Sequence, residues 1–136
     1  MFTSLDVSTS GLVAQRARLD VISSNLANIS TTRNEKGEIE PYQARFVTFQ
    51  TDEMISTQGG GSGVKVSEIG QSYADPVVRY DPQHPDADEN GNVLMPNINM
   101  TKEFVDALQA TRAYEANIGV MEITKDLGQQ TLQIIA

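Results

Sequence analysis

The sequence predicts a mainly α fold: two long, antiparallel, coiled-coil-like terminal helices with a small β/loop insertion between them. Three observations lead there. Apolar residues recur at helical spacing at both ends of the 136-residue chain. Gly and Pro breakers crowd the middle. The middle also holds two or three short alternating runs of strand formers. The expected organisation is a terminal-helix core unit, residues 1–30 plus 97–136, and a middle region, 31–96.

The first helix is expected over 3–29. Leu5, Leu12, Leu19 and Leu26 recur every seven residues, and Phe2, Ile22 and Ile29 join them at steps of three or four. That is one apolar stripe. Thr3 or Ser4 is the expected cap, with Asp6 near the positive end of the helix dipole. Gly11 weakens the helix by up to ~1 kcal/mol, so its first ten residues are expected to fray. A second stripe, Ser10, Ala14, Ala17, Val21, Ser24 and Asn28, is mostly small. It reads either as a plain surface or as a second face that another helix approaches closely.

Residues 30–63 read as extended chain and loop. Tyr42–Phe49 is a strand candidate and Val64–Ile69 its return strand. Gly59–Gly63 between them reads as a flexible turn or linker. Val77, Val78 and Tyr80 are a possible third strand between Pro76 and Pro82. Such a small sheet needs outside support. Residues 81–96 read as a loop dense in turn residues.

The second helix is expected from Asn97 or Asn99 to the end, with Thr101 as an alternative cap. Met100, Phe104, Leu108, Thr111, Ile118, Met121, Leu132 and Ile135 form one stripe. Val120, Ile123, Leu127 and Ile134 form another on its last third. A helix apolar on two sides wants two partners. The first helix supplies one, and a second molecule is needed for the other.

Composition narrows the function. The net charge is −8 and the pI about 4.5, which argues against nucleic acid or an anionic membrane surface as partner. The acid is concentrated at 81–92, while residues 1–32 sum to zero, as suits a helix buried in protein. There is no Cys, so neither a disulfide framework nor thiolate chemistry is expected. The first twenty residues lack the basic, apolar and small-residue regions of a cleavable signal peptide. No run approaches the ~18 apolar residues of a membrane span, so the chain is not expected to be membrane-inserted.

Residues 19–32, LDVISSNLANISTT, resemble the N-terminal signature of the bacterial flagellar axial proteins, the rod and hook proteins and their relatives. Asn25-Leu26-Ala27-Asn28 carries the likeness. Residues 110–133 are similar to that family's C-terminal helix, with Arg112-Ala113-Tyr114-Glu115-Ala116-Asn117 at the core. YDPQHPDADENGNVLMPNIN at 80–99 resembles the loop entering that helix in the proximal rod protein of the FlgC type. Where the family tends to a Thr-Pro-Gly turn, this chain reads Thr31-Thr32-Arg33-Asn34. The resemblance implies a structural subunit of the flagellar basal body, exported without signal cleavage through the flagellar export apparatus. It would assemble in the periplasmic rod with homologous subunits and copies of itself, its terminal helices innermost. Leu5, Leu12, Leu19, Ile22, Asn25, Leu26 and Asn28 would then meet neighbouring subunits on the first helix. On the second, Arg112, Tyr114, Asn117, Ile118, Met121, Ile123, Leu127 and Leu132 would do so.

No residue pattern calls for catalysis, a cofactor or a small-molecule substrate. His84, the single histidine, sits between two prolines with no nucleophile pattern beside it and reads as a turn residue. Asp86, Asp88, Asn90 and Gly91 partly match a calcium loop, the basis of an alternative reading as a calcium-binding helical module over 86–97. The twelfth position is Asn97 in place of a bidentate Glu. Asp86 is otherwise expected to be an exposed turn residue. Asn25 and Asn28 read either as C-terminal caps of the first helix or as hydrogen-bonding groups between subunits.

Overall fold

The computed structural model describes residues 2–136, except for the side chain of Phe2, the first member of the N-terminal stripe. Helix α1 spans Phe2–Ala27 and helix α2 spans Met100–Ile135. Between them lie strands β1 (Arg45–Ser56), β2 (Ser62–Gln71), β3 (Val77–Tyr80) and β4 (Asn92–Met95). The two helices with a small antiparallel β insertion are as expected. The insertion is larger than the sequence reading allowed, with a first strand of 12 residues.

Helix α1 begins before Thr3 and Ser4, which lie in its first turn and not at a cap, and no acid stands in that turn. Its end is closed by Asn28. Both the backbone N–H and the Nδ2 of Asn28 donate to the Ser24 carbonyl, at 3.1 and 2.9 Å, and Thr31 Oγ1 donates to Asn28 Oδ1. Asn28 thus satisfies groups left open at a helix C-terminus. Asn99 caps α2: its side chain accepts from the Lys102 N–H at 3.1 Å. At about 1.5 Å per residue the 36 residues of α2 run on the order of 54 Å.

The helices are antiparallel. Gly11 stands opposite Asn117, Arg18 Nη2 reaches Asp106 at 3.5 Å, and Asn25 reaches Glu103. Residue numbers of facing positions sum to about 126, so α1 runs out near the level of residues 124–126. The last nine or so residues of α2 project beyond it.

β1 and β2 pair antiparallel, from Arg45 opposite Gln71 to Ser56 opposite Ser62, with register shifts after Thr48 and between Asp52 and Ser56. The glycine run between them is no loose linker. The N–H of Thr57 donates to the Gly61 carbonyl at 2.7 Å and the N–H of Gly61 to Thr57 Oγ1 at 2.8 Å, closing the turn. β3 does not join that sheet. It pairs with β4, a strand inside the region read as loop, matching Val77–Tyr80 with Met95–Asn92. Asp88 closes this second hairpin by accepting the N–H groups of Asn90 and Asn92, and Gly91 takes a positive φ of 79°.

The first hairpin lies along α1, where the Val64 N–H donates to Ser10 Oγ at 3.0 Å. Ile55, Val64 and Val66 line one hollow with Ser10, Val13 and Ala14. The small second stripe of α1 therefore is a covered face, as one reading had it, but its cover is the chain's own hairpin. Ala14, Val21, Ile22, Val93, Met95 and Ala110 are the buried apolar residues, a thin core for a chain of this length.

Candidate assembly surface

The face of α2 turned to α1 is small. Glu103 and Ala110 are its buried residues, and Ala107, Ala113 and Asn117 on the same face are half-buried. At Gly11 the crossing is so close that a Cβ would come within 2.9 Å of Asn117 Nδ2. Gly11 is thus a point of close approach as well as a weak helix former. Small residues at the seam let the backbones approach, and that is not the large knob-in-hole pattern of a coiled coil.

The large apolar side chains of α2 point elsewhere. Phe104, Val105, Leu108, Ile118, Val120, Ile123, Leu127 and Leu132 are all exposed in the single chain, Leu127 at 55% and Leu132 at 68%. Of the predicted C-terminal stripe only Met121 is half-buried; it lines a hollow with Leu5, Leu12 and Ile118 along the edge of the seam. On α1, Leu5, Leu12, Leu19 and Leu26 are half-buried and Ile22 is buried. Much of the N-terminal stripe is thus engaged within the chain. Arg112 is exposed and Tyr114 half-buried.

Asn25 is 2% exposed, and its bonds settle what it does within the chain. Its Oδ1 accepts the Arg45 N–H at 2.8 Å and its Nδ2 donates to the Arg45 carbonyl at 2.9 Å. The carboxamide pairs with β1 as a strand residue would. Nδ2 also donates to Glu103 Oε2 at 3.3 Å, and the Tyr42 hydroxyl donates to Oδ1 at 3.3 Å. One side chain ties α1, β1 and α2 together, with every polar valence used. Neither sequence reading of Asn25, cap or inter-subunit group, describes this. The capping reading holds for Asn28.

A second tie went unseen. Thr32 Oγ1 donates to Asp86 Oδ2 at 2.5 Å, while Arg33 donates to Asp86 Oδ1 through Nε at 2.8 Å and also through Nη2. Arg33 Nη1 reaches the Gly37 carbonyl. These bonds, the one from Thr32 foremost and then those from Arg33, hold the Asp86 carboxyl below its ordinary value. Its side chain is 5% exposed, not the free turn residue expected. No spacing rule links positions 32, 33 and 86. The calcium alternative finds no support here. Both Asp86 oxygens are engaged by Thr32 and Arg33, and Asp88 Oδ1 serves its own turn. His84 accepts the Asp86 N–H at Nδ1, as a turn residue does.

Among the described residues no helix is long and apolar enough to cross a membrane. The surface is therefore that of a helix pair buttressed at one end and carrying a long apolar stripe. Residues 5–33 match the family model described as flagella basal body rod protein, and residues 89–134 the model for the C-terminal part of the flagellar basal body rod FlgEFG proteins. The flagellar basal-body rod protein FlgC of Bacillus subtilis is 43% identical over 98% of this chain and 97% of its own. That of Salmonella typhimurium is 40% identical, covering 95% and 93%. That of Borreliella burgdorferi is 37% identical, covering 99% and 97%. With likeness of this degree across nearly the whole length, the chain belongs to the FlgC family of flagellar basal-body rod proteins.

Proposed function

We propose that this chain is a structural subunit of the proximal rod of the flagellar basal body, polymerising through its terminal helices to transmit torque. Its role is mechanical, not enzymatic. The observation that carries the reading is the contrast between the two sides of α2. The side against α1 is built from small and polar residues, Glu103, Ala107, Ala110, Ala113 and Asn117, and the side left open carries Phe104, Leu108, Ile123 and Leu127. Burying each such side chain stabilises an assembly by roughly 1.5–3 kcal/mol. A subunit that keeps them exposed gains that only by packing on neighbours, copies of itself and homologous rod subunits.

The two regions divide the work. The terminal-helix unit, 1–30 plus 97–136, supplies the packing surface, and the middle, 31–96, fixes one end of the helix pair. The full set of residues read as subunit-interacting narrows on this view. Ile118, Ile123, Leu127 and Leu132 are its centre, whereas Asn25 and Ile22 act within the subunit. Passage through the flagellar export apparatus without a cleaved signal, and residence in the periplasmic stretch of the rod, complete the reading. Both rest on the family resemblance.

The test is Leu127→Asp. The side chain is exposed in the free subunit, so stability should stay within ~0.5 kcal/mol of the parent. A carboxylate repeated at every packed interface should prevent assembly. Cells carrying it should secrete the subunit yet lack rod, hook and motility. Normal swimming would remove the α2 stripe from the assembly surface. Leu19→Asp is a weaker probe, because Leu19 is half-buried inside the chain and its loss also weakens the subunit.

A further inference from the structure

The β3–β4 hairpin turns on an Asn-Gly step, and the turn demands glycine there. Gly91 has a φ of 79° and is buried. A Cβ on it would come within 3.0 Å of both Tyr80 Cε2 and Pro82 Cγ. Any other residue would be strained at this position. Asn90, next to it, is exposed, and among the described residues none bonds its carboxamide.

A carboxamide carbon beside a glycine nitrogen is a reactive pair. Glycine has no side chain to shield its nitrogen or restrict its rotation. The other seven Asn residues all precede Leu, Ile, Val, Met or Glu. The folded turn, however, withholds the nitrogen. The Gly91 N–H donates to the Asp88 carbonyl at 3.0 Å, and the Gly91 carbonyl accepts the Asp81 N–H at 2.9 Å. Asp88 Oδ1 also accepts the N–H groups of Asn90 and Asn92, at 2.9 and 2.8 Å. To bond Asn90 Cγ, the Gly91 nitrogen must leave the Asp88 carbonyl, and the bonds on either side resist the rotation that this needs.

We propose that Asn90 is a site of deamidation gated by closure of the β3–β4 hairpin. In the open chain the Gly91 nitrogen gives up its proton and bonds to Asn90 Cγ. The Cγ–Nδ2 bond breaks and Nδ2 departs with that proton as ammonia, leaving a cyclic imide. Water then adds to one imide carbonyl carbon, and the bond from that carbon to the ring nitrogen breaks. Opening on the side-chain side leaves aspartate at position 90. Opening on the main-chain side leaves isoaspartate, with one extra atom in the backbone. That atom displaces Gly91 from a niche that Tyr80 and Pro82 close to any added carbon, and it misaligns the Asp88 bonds. Folding thus protects the site, and the isoaspartyl product opposes refolding of the hairpin. The inference does not depend on the rod reading.

Ageing the full chain in buffer and, in parallel, in guanidinium chloride above its unfolding transition tests this. Peptide mass spectrometry that separates aspartate from isoaspartate follows each Asn. Early ammonia loss should be confined to position 90, and it should be about tenfold slower or more in buffer, because the hairpin must open first. Asp88→Ala removes both Oδ1 bonds. It should raise the rate in buffer about threefold or more and leave the rate in denaturant unchanged. Isoaspartyl chains returned to buffer should lose amide protection at residues 77–80 and 92–95. Equal rates in buffer and denaturant, earlier loss at another Asn, an unchanged rate in Asp88→Ala, or full hairpin protection in the isoaspartyl chain would each overturn the inference.

Discussion

The two ends of the helix pair are built differently. Where α1 ends and α2 begins, Asn25 joins three elements, Asn28 and Asn99 close the helices, and the Asp86 clasp holds the middle region in place. At the other end α2 outruns α1 by about nine residues, and none of the described residues covers Leu132, Ile134 or Ile135. Polar bonds within the chain fix the first end, and exposed apolar area characterises the second. A subunit so divided keeps its shape at one end and its capacity to pack on neighbours at the other.

Amide exchange in the isolated chain should show the contrast most strongly. Local opening free energies in one protein range from near zero to the whole stability. Amides of residues 128–135 should exchange near the zero limit, because an unsupported helix end is marginal in water. Those of 103–114 should exchange only at the cost of unfolding the helix pair. Equal protection along α2 in a verified monomer would break the comparison.

Asn25→Ala attacks the fixed end. It removes both bonds to the Arg45 backbone and the one to Glu103, and leaves part-buried donors and acceptors unpaired. The expected loss is about 2–4 kcal/mol, read from the urea midpoint. Faster exchange should appear first at residues 44–46. A loss below ~0.5 kcal/mol would show that Asn25 sits in the seam without holding it.

The same end gives a pH signature. The folded carboxyl of Asp86 titrates below its ordinary value of 3.8, so the ionised form favours the folded state. That contribution is present above about pH 4 and fades as the pH falls through the lower folded value. Asp86→Asn should lack it. The two proteins should therefore differ in stability at neutral pH and converge in acid, with faster exchange at residues 31–34 in the variant. A gap that widens on acidification would contradict the clasp.

Much of this was legible in the sequence, for a physical reason. Helical periodicity is local, so both terminal helices could be read from spacing alone, whereas Asn99 was only one of three candidate caps for the second and the Asn99–Lys102 bond decides it. The β1–β2 hairpin followed from two alternating runs flanking Gly59–Gly63. β4 was missed because Asn92–Met95 is four residues with no clear alternation, and its strand state depends on β3 across the turn. The ties at Asn25 and Asp86 were missed because they join residues 20 to 78 positions apart. The apolar stripes were found, but not which of them the chain covers itself. That depends on Gly11 and the Ala positions of α2, whose meaning is set by the closeness of the helices.

Gly11 lies between the two ends, and Gly11→Ala measures how tightly the middle of the pair is closed. Two effects oppose each other. Alanine in a helix interior gains up to ~1 kcal/mol over glycine. Its Cβ would meet Asn117 Nδ2 at 2.9 Å and Cγ and Oδ1 at 3.2 Å. Asn117 must then swing away and give up its bond to the Ala113 carbonyl, at 3.0 Å, worth roughly 0.5–1.5 kcal/mol. The net change should be within ~0.5 kcal/mol of zero, from cancellation and not from indifference. The double-mutant cycle with Asn117→Ala separates the terms. Once the amide is gone, Gly11→Ala should show most of its helix-propensity gain. If the substitution stabilises equally in both backgrounds, the helices are not close at this level, and the loose region extends from the overhang to the middle of α1.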